Sequence, residues 1–139
     1  MKNKKIMSII LAAGMVLSTM SMAVSARANE TVSAETIQIY DDYGRRVGTG
    51  EFEAGSSRAY ASCQKVSGNS YTHAACRLRS YTAGDDLIDS QTGYAAGSAS
   101  TFVTTGSDCS YIDGMWAIYI PVNGQVPAYD PRYEDTFYM

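Results

Sequence analysis

The fold is decided at residues 58–81, "RAYASCQKVSGNSYTHAACRLRSY". Two alternating runs, 58–66 and 71–81, flank the turn-forming "SGNS". Alternation with a period of two marks a β-strand with one buried face. Gly68-Asn69 suits the primed turn of a two-residue hairpin loop. The segment therefore reads as a β-hairpin. Ala59, Ala61 and Cys63 share one face of its first strand, and Ala74, Cys76 and Leu78 share one face of its second. A turn at Gly68-Asn69 pairs Cys63 with Ala74 and Ala61 with Cys76. Both small, apolar sets then fall on the same side.

The same pattern continues outward. "TIQIYD" (36–41) alternates, with Ile37 and Ile39 on one face, and "DDYG" (41–44) is a turn. "RVGTGEFE" (46–53) is a strand whose glycines suggest a bulge or close packing. "AGSS" breaks it. "TAGDD" (82–86) is a loop, "LIDSQTG" (87–93) a short strand and turn, and "YAAGSASTFVTT" (94–105) a long strand. "SDCSYIDGMWAIYI" (107–120) reads as a second hairpin on Asp113-Gly114, with Cys109, Tyr111, Trp116, Ile118 and Ile120 on its apolar face. "VNGQV" (122–126) adds an Asn-Gly turn, and "PAYDPRYEDTFYM" reads as a mobile tail or an edge segment. Short strands with turns at this spacing mean an all-β fold, a small antiparallel β-sandwich or barrel.

The N-terminus places that domain outside the cell. Lys2, Lys4 and Lys5 precede the apolar "IMSIILAAGMV" (6–16), and Ala26-Arg27-Ala28 is an A-x-A site, with Val24-Ser25-Ala26 as an earlier alternative. The apolar stretch is too short and serine-rich to span a bilayer. The expected organisation is a cleaved signal peptide at 1–28, a β-sandwich domain at 29–121, and a C-terminal turn with an aromatic, acidic tail at 122–139. Cleavage removes four of the eleven basic residues and none of the fourteen acidic ones. Seven basic residues then face fourteen acidic ones, a net charge of −7. Such a field does not draw the chain to nucleic acid or to an anionic membrane.

A secreted chain with three cysteines suggests one bridge and one leftover thiol. In the Gly68-Asn69 register Cys63 and Cys76 are diagonal, too far apart for an easy bond. A turn at Asn69-Ser70 puts them opposite and leaves every side chain on the same face. The leading expectation is a Cys63–Cys76 disulfide. The rivals join Cys63 or Cys76 to Cys109.

Opposite the cysteines, Tyr60, Gln64, Tyr71, His73 and Arg77 form a candidate ligand face. Tyrosines stack on sugar rings or peptide groups, while Arg and Gln fix polar ones. A solvated strand face is the plain alternative. Catalysis has little support. "TTGSDC" (104–109) resembles the approach to a sortase cysteine, but it stands too close to His73 and no catalytic arginine is evident. No G-x-S-x-G elbow occurs. The cysteines and single histidine lack zinc spacing, and Asp85, Asp86 and Asp89 lack the calcium-loop pattern, so no metal or other cofactor is expected.

At "SYTHAACRLRSY" (70–81) the chain resembles the lactococcin-972-like bacteriocins, small secreted proteins with a β-sandwich body. A strand with tyrosine, histidine and alternating small residues, a serine- and alanine-rich strand and a late aromatic strand are shared in outline. The three cysteines, single histidine, −7 charge and longer tyrosine-rich tail depart from that family. The resemblance implies growth inhibition of related bacteria through cell-wall precursor at the septum, and it carries over no catalytic residue. The expected function is a secreted, non-catalytic binding module whose extracellular ligand is a cell-wall glycan or a protein. A bacteriocin-like inhibitor is the alternative, and a cysteine-dependent enzyme stands third.

Overall fold

The computed structural model describes residues 31–139, with side chains from Ser33 onward. The expected signal peptide and its cleavage site lie outside the described residues. Eight strands form two antiparallel sheets: β1 (Thr31–Tyr40), β2 (Arg46–Gly55), β3 (Arg58–Lys65), β4 (His73–Thr82), β5 (Leu87–Ala96), β6 (Ser98–Thr104), β7 (Cys109–Tyr119) and β8 (Arg132–Tyr138). The first sheet runs β1-β2-β3-β6 and the second β5-β4-β7-β8. The protein is an all-β sandwich.

The alternation at 58–81 identifies the buried faces correctly and the pairing wrongly. Ala59, Ala61, Cys63, Ala74, Cys76 and Leu78 are all buried. Yet β3 pairs with β2 and β6, while β4 pairs with β5 and β7. The "SGNS" segment is a crossover between sheets, not a hairpin turn. Gly68 does take a positive φ of 89°. The side chain of Asn69 then holds the bend, donating to the Val66 carbonyl at 2.9 Å and accepting from the Tyr71 amide at 3.1 Å. The two small-residue sets therefore face each other across the core.

The second expected hairpin is also absent. Residues 109–119 form one continuous strand, and Asp113-Gly114 lies in its middle. Removing the turn shifts the inward set to Ile112, Gly114, Trp116 and Ile118, whereas Ile120 is exposed. Gly114 serves packing instead. A Cβ there would lie 2.3 Å from Trp116 Cη2. Gly93 likewise sits inside β5, and the chain turns at Gly97, whose φ is 81°. Asn123 and Gly124, both at positive φ, do form the expected tight turn, closed by hydrogen bonds between Val122 and Gln125. The C-terminal segment supplies β8, an edge strand that buries Phe137.

The three cysteines are free thiols. With no hairpin between Cys63 and Cys76, the expected hairpin staple has no scaffold. Each thiol instead reaches the backbone of the facing sheet: Cys63 Sγ lies 3.6 Å from the Ala117 carbonyl, and Cys76 Sγ 3.6 Å from that of Ala61.

Candidate functional site

The expected ligand face is divided between opposite sides of the sandwich. Tyr60 and Gln64 lie on the outer face of the first sheet, with Tyr60 buried and Gln64 half-buried. His73 and Arg77 lie on the outer face of the second. The His73 ring is 5.6 Å from that of Tyr119, and its Nδ1 is 2.7 Å from Thr72 Oγ1. Tyr71 belongs to the crossover and packs partly against the core. Burial raises the pKa of its phenol, and Asp130, Asp41 and Asp42 add to the shift. The period of two assigned each side chain to the outside of its strand. It could not say which sheet the strand joined.

The second sheet's outer face is not an open platform. Ala75, Met115, Ala117 and Tyr119 are buried there in a small cluster with Val126 of the β7–β8 loop. Arg77 lines a 380 Å³ hollow with Asp113, Gly114, Glu134, Asp135 and Thr136. Farther along, Tyr81 and Tyr111 stack at 4.9 Å with ring planes 13° apart, and Tyr138 continues the row at 6.2 Å. Stacking covers ring faces and leaves edges to solvent. Burial, together with the Asp85 carboxylate that accepts the Tyr111 hydroxyl at 2.9 Å, pushes that phenol up to about 12.

A better-formed cleft lies where β5 and β6 meet. The sheets nearly touch along this edge: a Cβ on Gly93 would lie 2.2 Å from the Ser100 carbonyl oxygen. Asp89 of β5 reaches across and accepts the Thr104 amide of β6 at 2.9 Å. Ser80 of β4 donates to the Thr104 carbonyl at 2.6 Å. These bonds occupy backbone groups that β6 would otherwise leave open as an edge strand. They also fix a 570 Å³ cleft lined by Arg58, Asp89, Gln91, Ser100, Thr101 and Phe102.

Each lining group has a definite state. Desolvation raises the pKa of Asp89, but hydrogen bonds from Thr104, Gln91 and Ser90 outweigh it and hold the carboxyl below its usual value. Gln91 gives Asp89 one Nε2 bond at 3.1 Å. Its Oε1 points to no partner among the described residues. Phe102 is 52% exposed. The Arg58 guanidinium lies 6.0 Å from the Phe102 ring centroid. Among the described residues no carboxylate pairs with Arg58. Tyr60, part of the expected face, stands directly opposite Phe102 in the β3–β6 register. Phe102 itself was missed, although "SASTF" carried a signal: a large apolar residue in phase with Ser98 and Ser100, the polar face of its strand.

The cysteines are poorly suited to nucleophilic work. Burial pushes Cys63 up to about 12, and it raises Cys76 and Cys109 as well. A thiol that resists ionisation supplies little thiolate. Among the described residues no group of three or more His, Cys, Asp or Glu side chains is placed to hold a metal ion. No helix among them is long and apolar enough to cross a membrane. The chain matches no protein-family model, no curated protein and no solved structure.

Proposed function

We propose that the protein is a secreted, non-catalytic binding module that recognises a sugar ring of an extracellular glycan in the β5–β6 cleft. The half-exposed ring of Phe102 beside Arg58, Gln91 and Ser100 carries this reading. A pyranose presents an apolar face of C–H groups and a rim of hydroxyls. The first packs on an aromatic ring, and the second needs planar or hydroxyl hydrogen-bonding partners. The Phe102 cleft offers both kinds of contact: Arg58, Ser100 and Phe102 lie on the paired strands β3 and β6, and β5, which carries Gln91, is held to β6 by the Asp89–Thr104 bond. On the second sheet, Tyr81 and Tyr111 each spend one ring face on stacking against the other.

The test is retention of the mature protein on whole cells, on isolated cell wall and on a glycan panel. Phe102→Ala is expected to abolish retention while leaving the melting temperature within a few degrees. Unchanged retention by a folded Phe102→Ala protein would remove the cleft from the proposal. Growth inhibition of related bacteria in the whole-cell arm would shift the reading to the bacteriocin-like alternative.

A further inference from the structure

The cleft has one charge that the fold does not use. Asp89 receives the Thr104 amide at 2.9 Å, the Ser90 amide at 2.8 Å and Gln91 Nε2 at 3.1 Å. Those bonds turn its oxygens toward the β6 backbone and hold β5 against β6. Arg58, exposed at the start of β3, has no carboxylate partner among the described residues. Its guanidinium lies beside Phe102, 6.0 Å from the ring centroid. A planar guanidinium carries five N–H donors, and an aromatic contact leaves them free to point at a ligand. Its geometry matches the two oxygens of a carboxylate or phosphate.

Building on the glycan reading, we propose that the cleft selects saccharides bearing an anionic substituent, with the sugar ring on Phe102 and the carboxylate or phosphate on Arg58. Ser100 and the Gln91 amide remain for neutral hydroxyls. The excess of acidic residues in the chain gives no long-range attraction for such a ligand. Selection therefore depends on this single local cation. Arg58→Gln is expected to erase it, and Arg58→Lys to keep the charge while losing the two-pronged geometry.

The experiment measures Kd for the mature protein and three variants against three probes. The probes are a hexuronic-acid oligosaccharide, the same oligosaccharide after carboxyl reduction, and a hexose-phosphate oligomer. Wild type is expected to bind at least one charged probe about tenfold tighter than the neutral one, and whichever is preferred identifies carboxylate or phosphate. Arg58→Gln should bind all three at the neutral level, and Arg58→Lys should fall between. Phe102→Ala should weaken all three together. Thermal melting checks that each variant is folded. Equal affinity of wild type for charged and neutral probes would overturn the anionic selection and leave the glycan reading intact. A charge preference that survives Arg58→Gln would do the same. Binding of all probes by folded Phe102→Ala, or of none by wild type, would overturn both.

Discussion

The two halves of the core fill the same sandwich by opposite means. Between β3–β6 and β4–β5 it is a thin seam of Ala59, Ala61, Cys63, Ala74, Cys76, Gly93 and Ala99, so narrow that thiols touch the facing backbone at 3.6 Å. Between β1–β2 and β7–β8 it is thick. Phe52 and Phe137 stack at 3.9 Å, and both meet the Trp116 ring edge to face. Ile37, Ile39, Ile112 and Ile118 complete that half. The sandwich is a wedge, narrowest at the β5–β6 edge and wider toward β1 and β8, where buried rings fill the space. Small residues therefore do more than fill space in the seam. They let β5 reach β6, and that closure forms the cleft.

The largest effect should come from the thick half. Trp116→Ala removes a fully buried ring packed among Phe52, Phe137 and Tyr133, and it should cost about 3–5 kcal/mol in a urea titration. A cost below about 1 kcal/mol would mean that the thick half can collapse onto the seam.

Glycines should come next and should separate the halves cleanly. An alanine at Gly114 would press on Trp116 carbons at 2.3 and 2.4 Å, and its next neighbour is a Phe137 ring atom at 3.3 Å. All three are side-chain atoms. An alanine at Gly93 would press on the backbone of Ser100. Each single substitution should destabilise by about 1–3 kcal/mol. Only the first should be rescued by a second change. Gly114→Ala combined with Trp116→Phe should cost less than the sum of its parts, whereas no shortening of the residue 100 side chain should relieve Gly93→Ala. Strict additivity at Gly114 would mean that the ring is not what the glycine accommodates.

These glycines also show what the sequence could and could not reveal. Alternation correctly assigned the inward faces of 36–41, 59–63 and 74–78, because a period of two is a property of each strand alone. Pairing depends on partners distant in the chain. Gly68-Asn69 and Asp113-Gly114 look alike as dipeptides, yet one lies in a crossover and the other beneath an indole within a strand. Asn123-Gly124 is a true tight turn. Gly-containing pairs supply backbone freedom or absence of bulk, and only the tertiary neighbours decide which is needed. The cleft was hidden for the same reason. Arg58, Asp89 and Phe102 come from three strands of two sheets; the sequence points to Tyr60, opposite Phe102, as part of a ligand face and to Asp89 only as a weak calcium candidate.

The cysteines probe the seam with a smaller effect. Cys63→Ala and Cys76→Ala should each cost about 1 kcal/mol, since each removes one atom from a site with little room for water. In the native protein at pH 8, Cys63 and Cys76 should resist alkylation until unfolding, while partly exposed Cys109 labels first. Labelling of Cys63 at the rate of Cys109 would show that the seam opens more readily than the thick half.

The smallest effect concerns the rim of the thick half, where the turn from β1 to β2 depends on one carboxylate. Asp41 Oδ1 accepts the Tyr43 and Arg45 amides, each at 2.9 Å, and Oδ2 accepts Arg45 Nε at 2.8 Å. Arg45 Nη2 also approaches Oδ2 at 2.8 Å. Desolvation pushes the pKa of Asp41 upward, but these bonds outweigh it and hold the carboxyl below its usual value. A folded pKa lower than the unfolded one means that the unfolded state binds more protons over that range. The contribution is therefore present above the ordinary aspartate pKa of about 4 and is lost as pH falls through the folded value. Asp41→Asn keeps one oxygen for the amides and removes the charge. It should be slightly less stable than wild type at pH 7, and the gap should close in acid. Asp89 titrates in the same direction, so the informative quantity is the difference between the two proteins, not the acid limb of either. A gap that stays constant from pH 7 to below pH 3 would show that Asp41 acts through shape alone. A gap that widens in acid would reverse the assigned sign. Cys63→Ala and Cys76→Ala remove no carboxylate and leave both Asp41 and Asp89 in place, so the gap between each of them and wild type should show no such acid dependence.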